Sequence, residues 1–427
     1  MAFNRRAFLQ TAAAVMPGLM AANSYASLGR VAPSDRINVA MIGCGKMAND
    51  YHIPQLLQQP DVQLVAVCEV DTNRREWAAA RVNKKYSGAK QDFKGCSTYV
   101  DFREVIARED IDAVCIATPD HWHTIPLIEA CKAGKDVYCE KPLTLTIAES
   151  KACIDAARKY KRIVQTGSQQ RSGVFGPFRK AIELIHSGRL GKIYRVTVGV
   201  GDPGVDCDLP EETVEAGLDW NMWLGCAPER AYNSILSPRG VHKHFPAWRS
   251  YREYSGGGHT DMGAHHYDIA QWGLGMDQSG PVEIIPPKDP EAKRGVRFLF
   301  EDGVEIIHGG PSGCVFFGKN GTLHIDRGRL KSDPEEIVET PLGDGDVHLP
   351  KSPGHHRNWL DCIKSREMPI AEVEKGARTA AIIHLGNLAY QKNKTLKWNP
   401  ESWQFGDPAD APLLDRERRD PWHLPTI

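Results

Sequence analysis

An apolar run, "RINVAMIGCGKMA", ends in Gly43-x-Gly45-x-x-Ala48, and this stretch restricts the possible folds more than any other in the chain. It reads as a buried strand turned sharply into a helix. Gly43 permits the tight turn, Gly45 lets backbone approach a pyrophosphate, and small Ala48 lets the helix pack on the strand. Alone the pattern is weak, because a glycine turn in another α/β unit looks the same. Its context is stronger. A second run, "VQLVAVCEV", places Glu69 at a strand end, where a carboxylate can accept both ribose hydroxyls and repel a 2′-phosphate. That favours NAD, with NADP possible if Arg74 or Arg75 reverses the preference; both also read as solvated helix residues.

The alternation continues. "TNRREWAAARVNKKY" reads as a helix capped by Thr72, and "IDAVCIATP" as a buried strand. "WHTIPLIEACKAG" is a helix closed by Gly134, and "KDVYCEKPL" a further strand. "TIAESKACIDAARKYK" opens with a capping box, Thr146 and Glu149, and "RIVQTGSQQR" is the next strand. Repeated strand–helix units imply a parallel sheet with helices on both faces, and ligands in such sheets bind at the carboxyl ends of the strands. "GCGKMA", "TPDHWH" and "CEKPL" occupy those ends.

The N-terminus has a different character. "MAFNRRAFLQTAAAVMPGLMAANSYAS" is basic, then apolar, then small, the order of a secretory signal. Arg5–Arg6 followed by Phe8 and Leu9 resembles a twin-arginine signal, with cleavage expected after Ala26. That implies export of a folded protein to the periplasm by the twin-arginine machinery. The 427 residues carry eleven cysteines, an odd number. Cys44, Cys68, Cys115 and Cys139 lie in or beside strands and read as small buried residues rather than a disulfide framework. A net charge of −1 gives no sign of a nucleic-acid partner, and no apolar run after the first thirty residues can span a bilayer.

"IGCGKMA", "ATPDHWH", Glu140-Lys141-Pro142 and "GGGHTDMGAHHYD" together resemble the Gfo/Idh/MocA family, named after glucose–fructose oxidoreductase and inositol dehydrogenase. The resemblance spans nearly the whole chain after the signal. It implies an α/β N-terminal Rossmann domain and an α+β C-terminal domain with an open, mostly antiparallel sheet. It also implies oxidation or reduction of a sugar or polyol hydroxyl with NAD(P). Lys141 sits where Pro142 forces the chain out of the sheet. It would project into the crevice and hold developing negative charge on the reacting oxygen. The cofactor contacts expected are Gly43, Gly45, Lys46, Met47, Ala48, Glu69, Thr118, Pro119, His123, Glu140, Lys141 and Gln169.

In "GGGHTDMGAHHYD" the family pattern Asp-x-x-x-His falls on Asp261 and His265, four apart and so on one helix face. His265 would take the hydroxyl proton, its unperturbed pKa suiting transfer near neutral pH, and Asp261 would orient the substrate or the imidazole. The glycines would let backbone pass close to cofactor and sugar. His259, Asp261 and His265 or His266 could also ligate zinc. Residues 265 and 266 point about 100° apart on a helix, however, and Lys141 adds an unfavourable charge, so no metal is expected. His259 and His266 read as pocket or supporting residues.

"LDWNMWLGCAPERAYN" and "VHKHFPAWRSYREY" form an irregular stretch rich in aromatic and basic residues. It suits either sugar binding or a loop layer with Trp220 and Trp223 in core or subunit contacts. Arg171, His244, Trp248, Arg249 and His266 are the substrate candidates. Alternating strands follow, with hairpin turns at "EDG" and "KNG". The domains expected are a signal at 1–26, a Rossmann domain at 35–165, a substrate and oligomerisation domain at 166–394, and a surface tail at 395–427. The chain reads as an exported sugar or glycoside oxidoreductase with tightly bound NAD, as a homodimer or homotetramer. The competing reading is an NAD-dependent, redox-neutral glycoside hydrolase. Lys141 counts against it, since relatives of that kind lack the Glu-Lys-Pro lysine.

Overall fold

The computed structural model of the chain describes residues 35–87 and 93–427, so the expected signal at 1–26 lies outside the described residues. Six strands form the first sheet: β1 (Ile37–Ile42), β2 (Val62–Cys68), β3 (Ser97–Tyr99), β4 (Ala113–Ile116), β5 (Asp136–Cys139) and β6 (Val164–Thr166). All pairs are parallel, in the order β3-β2-β1-β4-β5-β6. Strands β2, β4 and β5 are buried at every residue, as continuous apolar runs in a sheet covered on both faces must be. Along β1, Ala40 and Ile42 enter one core while Val39 and Met41 enter the other. The order reverses between β1 and β4, which opens a crevice at the carboxyl ends of these strands.

The helices of this domain include α1 (Thr72–Tyr86), α2 (Thr124–Lys132) and α3 (Ile147–Lys159). The capping box of α3 forms between Thr146 and Glu149 as expected. The cap of α1 is Asp71, however, whose carboxylate accepts the Arg74 N–H. Thr72 is the first helical residue, and its N–H reaches Gly217 O instead.

The second sheet is antiparallel throughout. Its strands are β7 (Ile193–Gly199), β8 (Glu283–Ile285), β9 (Arg297–Leu299), β10 (Glu305–Gly318), β11 (Gly321–Asp326), β12 (Arg329–Asp333), β13 (Leu396–Asn399) and β14 (Gln404–Phe405). They run β12-β11-β10-β9-β8-β13-β14, with β7 also paired to β10. The turns after Glu301 and Lys319 make the two hairpins read from Asp-Gly and Asn-Gly. Helices α4 (Gly263–Gly273) and α6 (Val373–Lys392) pack together beside this sheet, whereas α5 (His355–Ser365) returns to the first domain and buries Trp359 and Leu360 there.

All eleven cysteines are free, ten of them buried, and among the described residues no helix is long and apolar enough to cross a membrane. Residues 396–405, expected within a surface tail, instead close an edge of the second sheet. The chain beyond them crosses back to the Rossmann domain. Arg418 Nη2 donates to Glu149 Oε1 at 2.8 Å, and Trp422 stands edge-on to Trp122. Both side chains of the Arg418–Glu149 pair are buried, 6% and 2% exposed. Removing one partner of a buried pair strands the other charge, at about 3–5 kcal/mol. Arg418→Ala should therefore lower stability to urea by about that much, while an exposed control such as Lys397→Ala shifts it little.

Candidate active site

A cleft of about 320 Å³ lies at the carboxyl ends of the parallel strands, between the two domains. Gly43 has φ +86°, and a Cβ there would stand 2.7 Å from Thr118 N, so only glycine fits this turn against the end of β4. Gly45 differs: a Cβ on it would meet nothing in the protein within 4 Å. Its open side faces the cleft, which is the approach a pyrophosphate needs.

Glu69 Oε2 accepts from Cys44 N at 2.7 Å and Oε1 from Asp71 N at 3.1 Å, pinning the glycine loop. Each oxygen keeps a further lone pair for a ribose hydroxyl. Arg74 and Arg75 are not solvated. Arg74 lines the cleft, but its guanidinium is spent on the carbonyls of Pro238 and Gly240, and Arg75 binds Glu69 O. Lys46, Met47, Thr118, Pro119, His123, Glu140 and Gln169 also line the cleft, and Ala48 is fully buried beneath it. The His123 ring sits between Thr118 O and Pro142 O, joining the turns after β4 and β5. The glycine loop, Glu69 and these turns fit a dinucleotide.

At the other end of the cleft Lys141 Nζ reaches across the domain boundary to Asp261, 2.6 Å from Oδ1 and 3.0 Å from the carbonyl oxygen. Burial opposes the Asp261 charge, but Lys141 and Arg249 outweigh it and hold the carboxyl below its usual range. Asp261 thus pairs with the lysine and makes no hydrogen bond to the His265 imidazole. Glu140 faces away from the ammonium. Its Oε1 accepts from Gln169 and lies 3.1 Å from His52 Nε2, and its Oε2 accepts the Lys141 N–H. It shapes the loop that aims Lys141.

His265 lines the same cleft, 5% exposed, with no hydrogen-bond partner for Nδ1 among the described residues. Burial, then the charges of Lys141 and Arg327, push its pKa well below neutral. The unperturbed value expected from sequence therefore does not hold, and the imidazole is neutral. Trp248 and Arg249 are in the cleft, stacked 4.1 Å apart, and Arg249 Nε approaches Asp261 at 3.5 Å.

Three substrate candidates lie elsewhere. Arg171 is buried in ion pairs with Asp268 and Asp277. His266 points into the core against Phe178 and Cys314, with Asp326 at 3.6 Å. His244 is exposed and outside the cleft, and His242 lines it instead. His259 turns away to Asn387 and Tyr267, so it shares no centre with Asp261. The expected role of the glycine run also changes. Gly257 has φ +79°, and a Cβ on it would strike Asp202 O at 2.4 Å, so the close approach is to the chain's own backbone.

Several cleft residues escaped the sequence reading. Asp120 is 3% exposed and accepts from Ser255 Oγ. Burial raises its pKa to about 7, against the Ser255 hydrogen bond and the Arg249 charge. It stands inside "TPDHWH", so the signal was present but attached to its neighbours. Phe245 and Arg327 come from an irregular loop and a hairpin turn, which carry no periodic signal. Among the described residues no group of three His, Cys, Asp or Glu side chains could hold a metal ion.

Comparison with known proteins agrees with this layout. Residues 37–168 match the model of the Gfo/Idh/MocA oxidoreductase family's NAD-binding Rossmann fold, and residues 184–424 match its C-terminal alpha/beta domain. A glycosyl hydrolase family 109 protein of Shewanella putrefaciens is 30% identical over 213 residues, 43% of this chain. The match spans 44% of that relative, under half of its length. An alpha-N-acetylgalactosaminidase of Shewanella oneidensis is 29% identical over 37% of this chain and 38% of its own. Among solved structures, an aldose–aldose oxidoreductase from Caulobacter crescentus complexed with glycerol superimposes with TM-score 0.57 at 20% identity, over 85% of this chain and 99% of its own. The WlbA dehydrogenase from Bordetella pertussis, in complex with NADH and UDP-GlcNAcA, gives 0.59 at 17% identity over 86% and 98%. These two likenesses show the fold, and the two family matches together span most of the sequence: the chain belongs to the Gfo/Idh/MocA family of NAD-binding oxidoreductases.

Proposed function

We propose that this protein is an exported dehydrogenase that oxidises a ring hydroxyl of a sugar or glycoside, with NAD held tightly and used again in each cycle. The observation that carries this reading is the meeting of Lys141 and Asp261 from opposite domains in a cleft that His265 also lines. Bound NAD supplies a hydride acceptor. Lys141 would hold the reacting oxygen and stabilise its developing charge, while Asp261 keeps the ammonium in place. His265, neutral and buried, would receive the hydroxyl proton. Glu69, with both arginines beside it engaged, favours NAD over NADP.

Tight retention is supported by the segment from Pro203 to Ser255, which roofs the cleft. Gly217 O accepts the Thr72 N–H and Asp219 N–H donates to Val70 O, tying it to the turn between β2 and α1, and Phe245 lies 5.3 Å from the Lys46 ammonium. The N-terminal signal supports a periplasmic location and use of the twin-arginine machinery. The open second sheet suits a homodimer or homotetramer. Carbon 3 of a glucoside-like ring is the proposed site, because a ketone there acidifies the neighbouring C–H and prepares the glycosidic bond for elimination. A second reading, hydrolysis through transient oxidation, draws on the partial likeness to glycosyl hydrolase family 109 proteins.

Three outcomes are expected. Nucleotide should appear in the supernatant when the purified protein is denatured. Gly45→Val should emerge without nucleotide and melt where nucleotide-stripped wild type does, because its side chain meets only the cleft; normal nucleotide content would refute the cradle. Lys141→Ala should lose about 10²–10³ in turnover and His265→Ala about 10²–10⁴, both with fold and nucleotide retained. A substrate deuterated at carbon 3, supplied with a keto-sugar acceptor, separates the readings. Label on the acceptor supports the oxidoreductase. Label kept in a hydrolysed sugar with free aglycone establishes the hydrolase, and label that never leaves carbon 3 rules out that position.

A further inference from the structure

The roofed cleft raises the question of where the substrate's proton goes. Oxidation of an alcohol breaks a C–H bond, whose electron pair and hydrogen leave as hydride, and an O–H bond, whose proton must reach solvent. His265, the first acceptor, is a poor resting place for it. It is buried, Lys141 and Arg327 disfavour its protonated form, and its second ring nitrogen has no hydrogen-bonded neighbour among the described residues to hand the proton on.

Asp120 offers another route. It stands in the turn after β4, 3% exposed, with its carboxylate in the cleft wall. The hydrogen bond to this carboxylate comes from Ser255 Oγ, in a residue 135 positions away that closes the roofing segment. Ser255 is equally buried and forms part of a different wall. It lines a second cavity of about 610 Å³ on the far side, together with Thr146, Arg252, His384, Asn387 and Arg416. These polar groups share that space with apolar side chains such as Leu145 and Leu388, and it is large enough for many waters. The Asp120–Ser255 hydrogen bond therefore runs through the partition between the two cavities. The charges that bear on Asp120 are Arg249 and Lys141, which favour its anion, and Asp261, which opposes it.

We propose that Asp120 takes up the proton released in the cleft and passes it through the Ser255 hydroxyl to the second cavity. This rests on the dehydrogenase reading given above. In the step, the proton that leaves the substrate hydroxyl for His265 passes on across the cleft to the Asp120 carboxylate. The carboxyl then gives a proton to Ser255 Oγ as that hydroxyl releases its own to water in the second cavity, and the carboxylate is restored. No co-reactant beyond water is consumed.

Burial holds Asp120 half-protonated near pH 7, so oxidation should strengthen as pH rises through about 7 and reduction should weaken. The test uses the nucleotide-containing protein and two measurements. In infrared pH titration, the wild type should lose a protonated-carboxyl band with a midpoint near 7 that Asp120→Asn lacks; absence of such a band overturns the proposal whatever the substrate. In single-turnover oxidation of a methyl glucoside, Asp120→Asn should be slower by about 10²-fold with a flattened pH profile. Asp120→Glu should recover part of the rate. Ser255→Ala, which keeps the carboxyl group, should show an intermediate loss and a displaced infrared band. Wild-type rate and pH profile in Asp120→Asn would remove Asp120 from the proton path. The same result in Ser255→Ala would remove the exit. A wild type that oxidises no glycoside refutes the dehydrogenase reading, while the infrared titration still decides whether Asp120 accepts a proton in this range.

Discussion

The ion pair between Lys141 and Asp261 is the contact on which the site depends. One charge comes from each domain, and both are largely withdrawn from water. A partly buried pair of this kind holds one geometry when its remaining hydrogen-bonding capacity is met and its neighbours are fixed. The surrounding residues supply both conditions. Glu140, held by His52 and Gln169, fixes the lysine's backbone. The Gly257 turn, pressed against residues 202–204, fixes the start of the short helix that carries Asp261. The pair therefore registers one domain against the other as well as arming the cleft.

The roofing segment extends that registration to the cofactor end. Stacked Trp220 and Trp223, with Tyr232, Trp248 and Tyr254, form a small core of their own. That core lets an irregular stretch hold a defined shape over the cleft without belonging to either sheet. Its aromatic residues divide between support and cleft wall: Trp248 serves both, while Tyr232 packs and donates its hydroxyl to Ser237 O away from the cleft.

Elements governed by local rules were legible from sequence. The presence of α1 was legible although its cap lies one residue earlier than read, the α3 capping box followed from two residues three apart, and both hairpins from their turn residues. Lys141 was found because a strand end directs its side chain predictably, and Asp261 from the family pattern; the single helix face expected for Asp261 and His265 does not form, since Asp261 ends a short helix, Gly258–Asp261, and His265 lies on α4 after the turn at Met262. What could not be read depends on distant partners. Arg171 is one arginine among many until Asp268 and Asp277 close on it, nearly a hundred or more residues later. His244 and His242 are interchangeable in a list of loop residues, and only the path of that loop separates them. The neutrality of His265 arises from burial, which no spacing reveals. The strands at 396–405 were obscured by the prolines and tryptophans around them.

The clasp between Arg418 and Glu149 joins residues 269 positions apart. The Rossmann half leaves the ribosome long before its fastener has been made. Domains commonly fold as units during synthesis, so a nascent Rossmann domain here would pass through a stage in which Glu149 and the Trp122 surface are open. Any factor that must act on the immature chain has that interval in which to do so. Closure of the Arg418–Glu149 pair ends that interval.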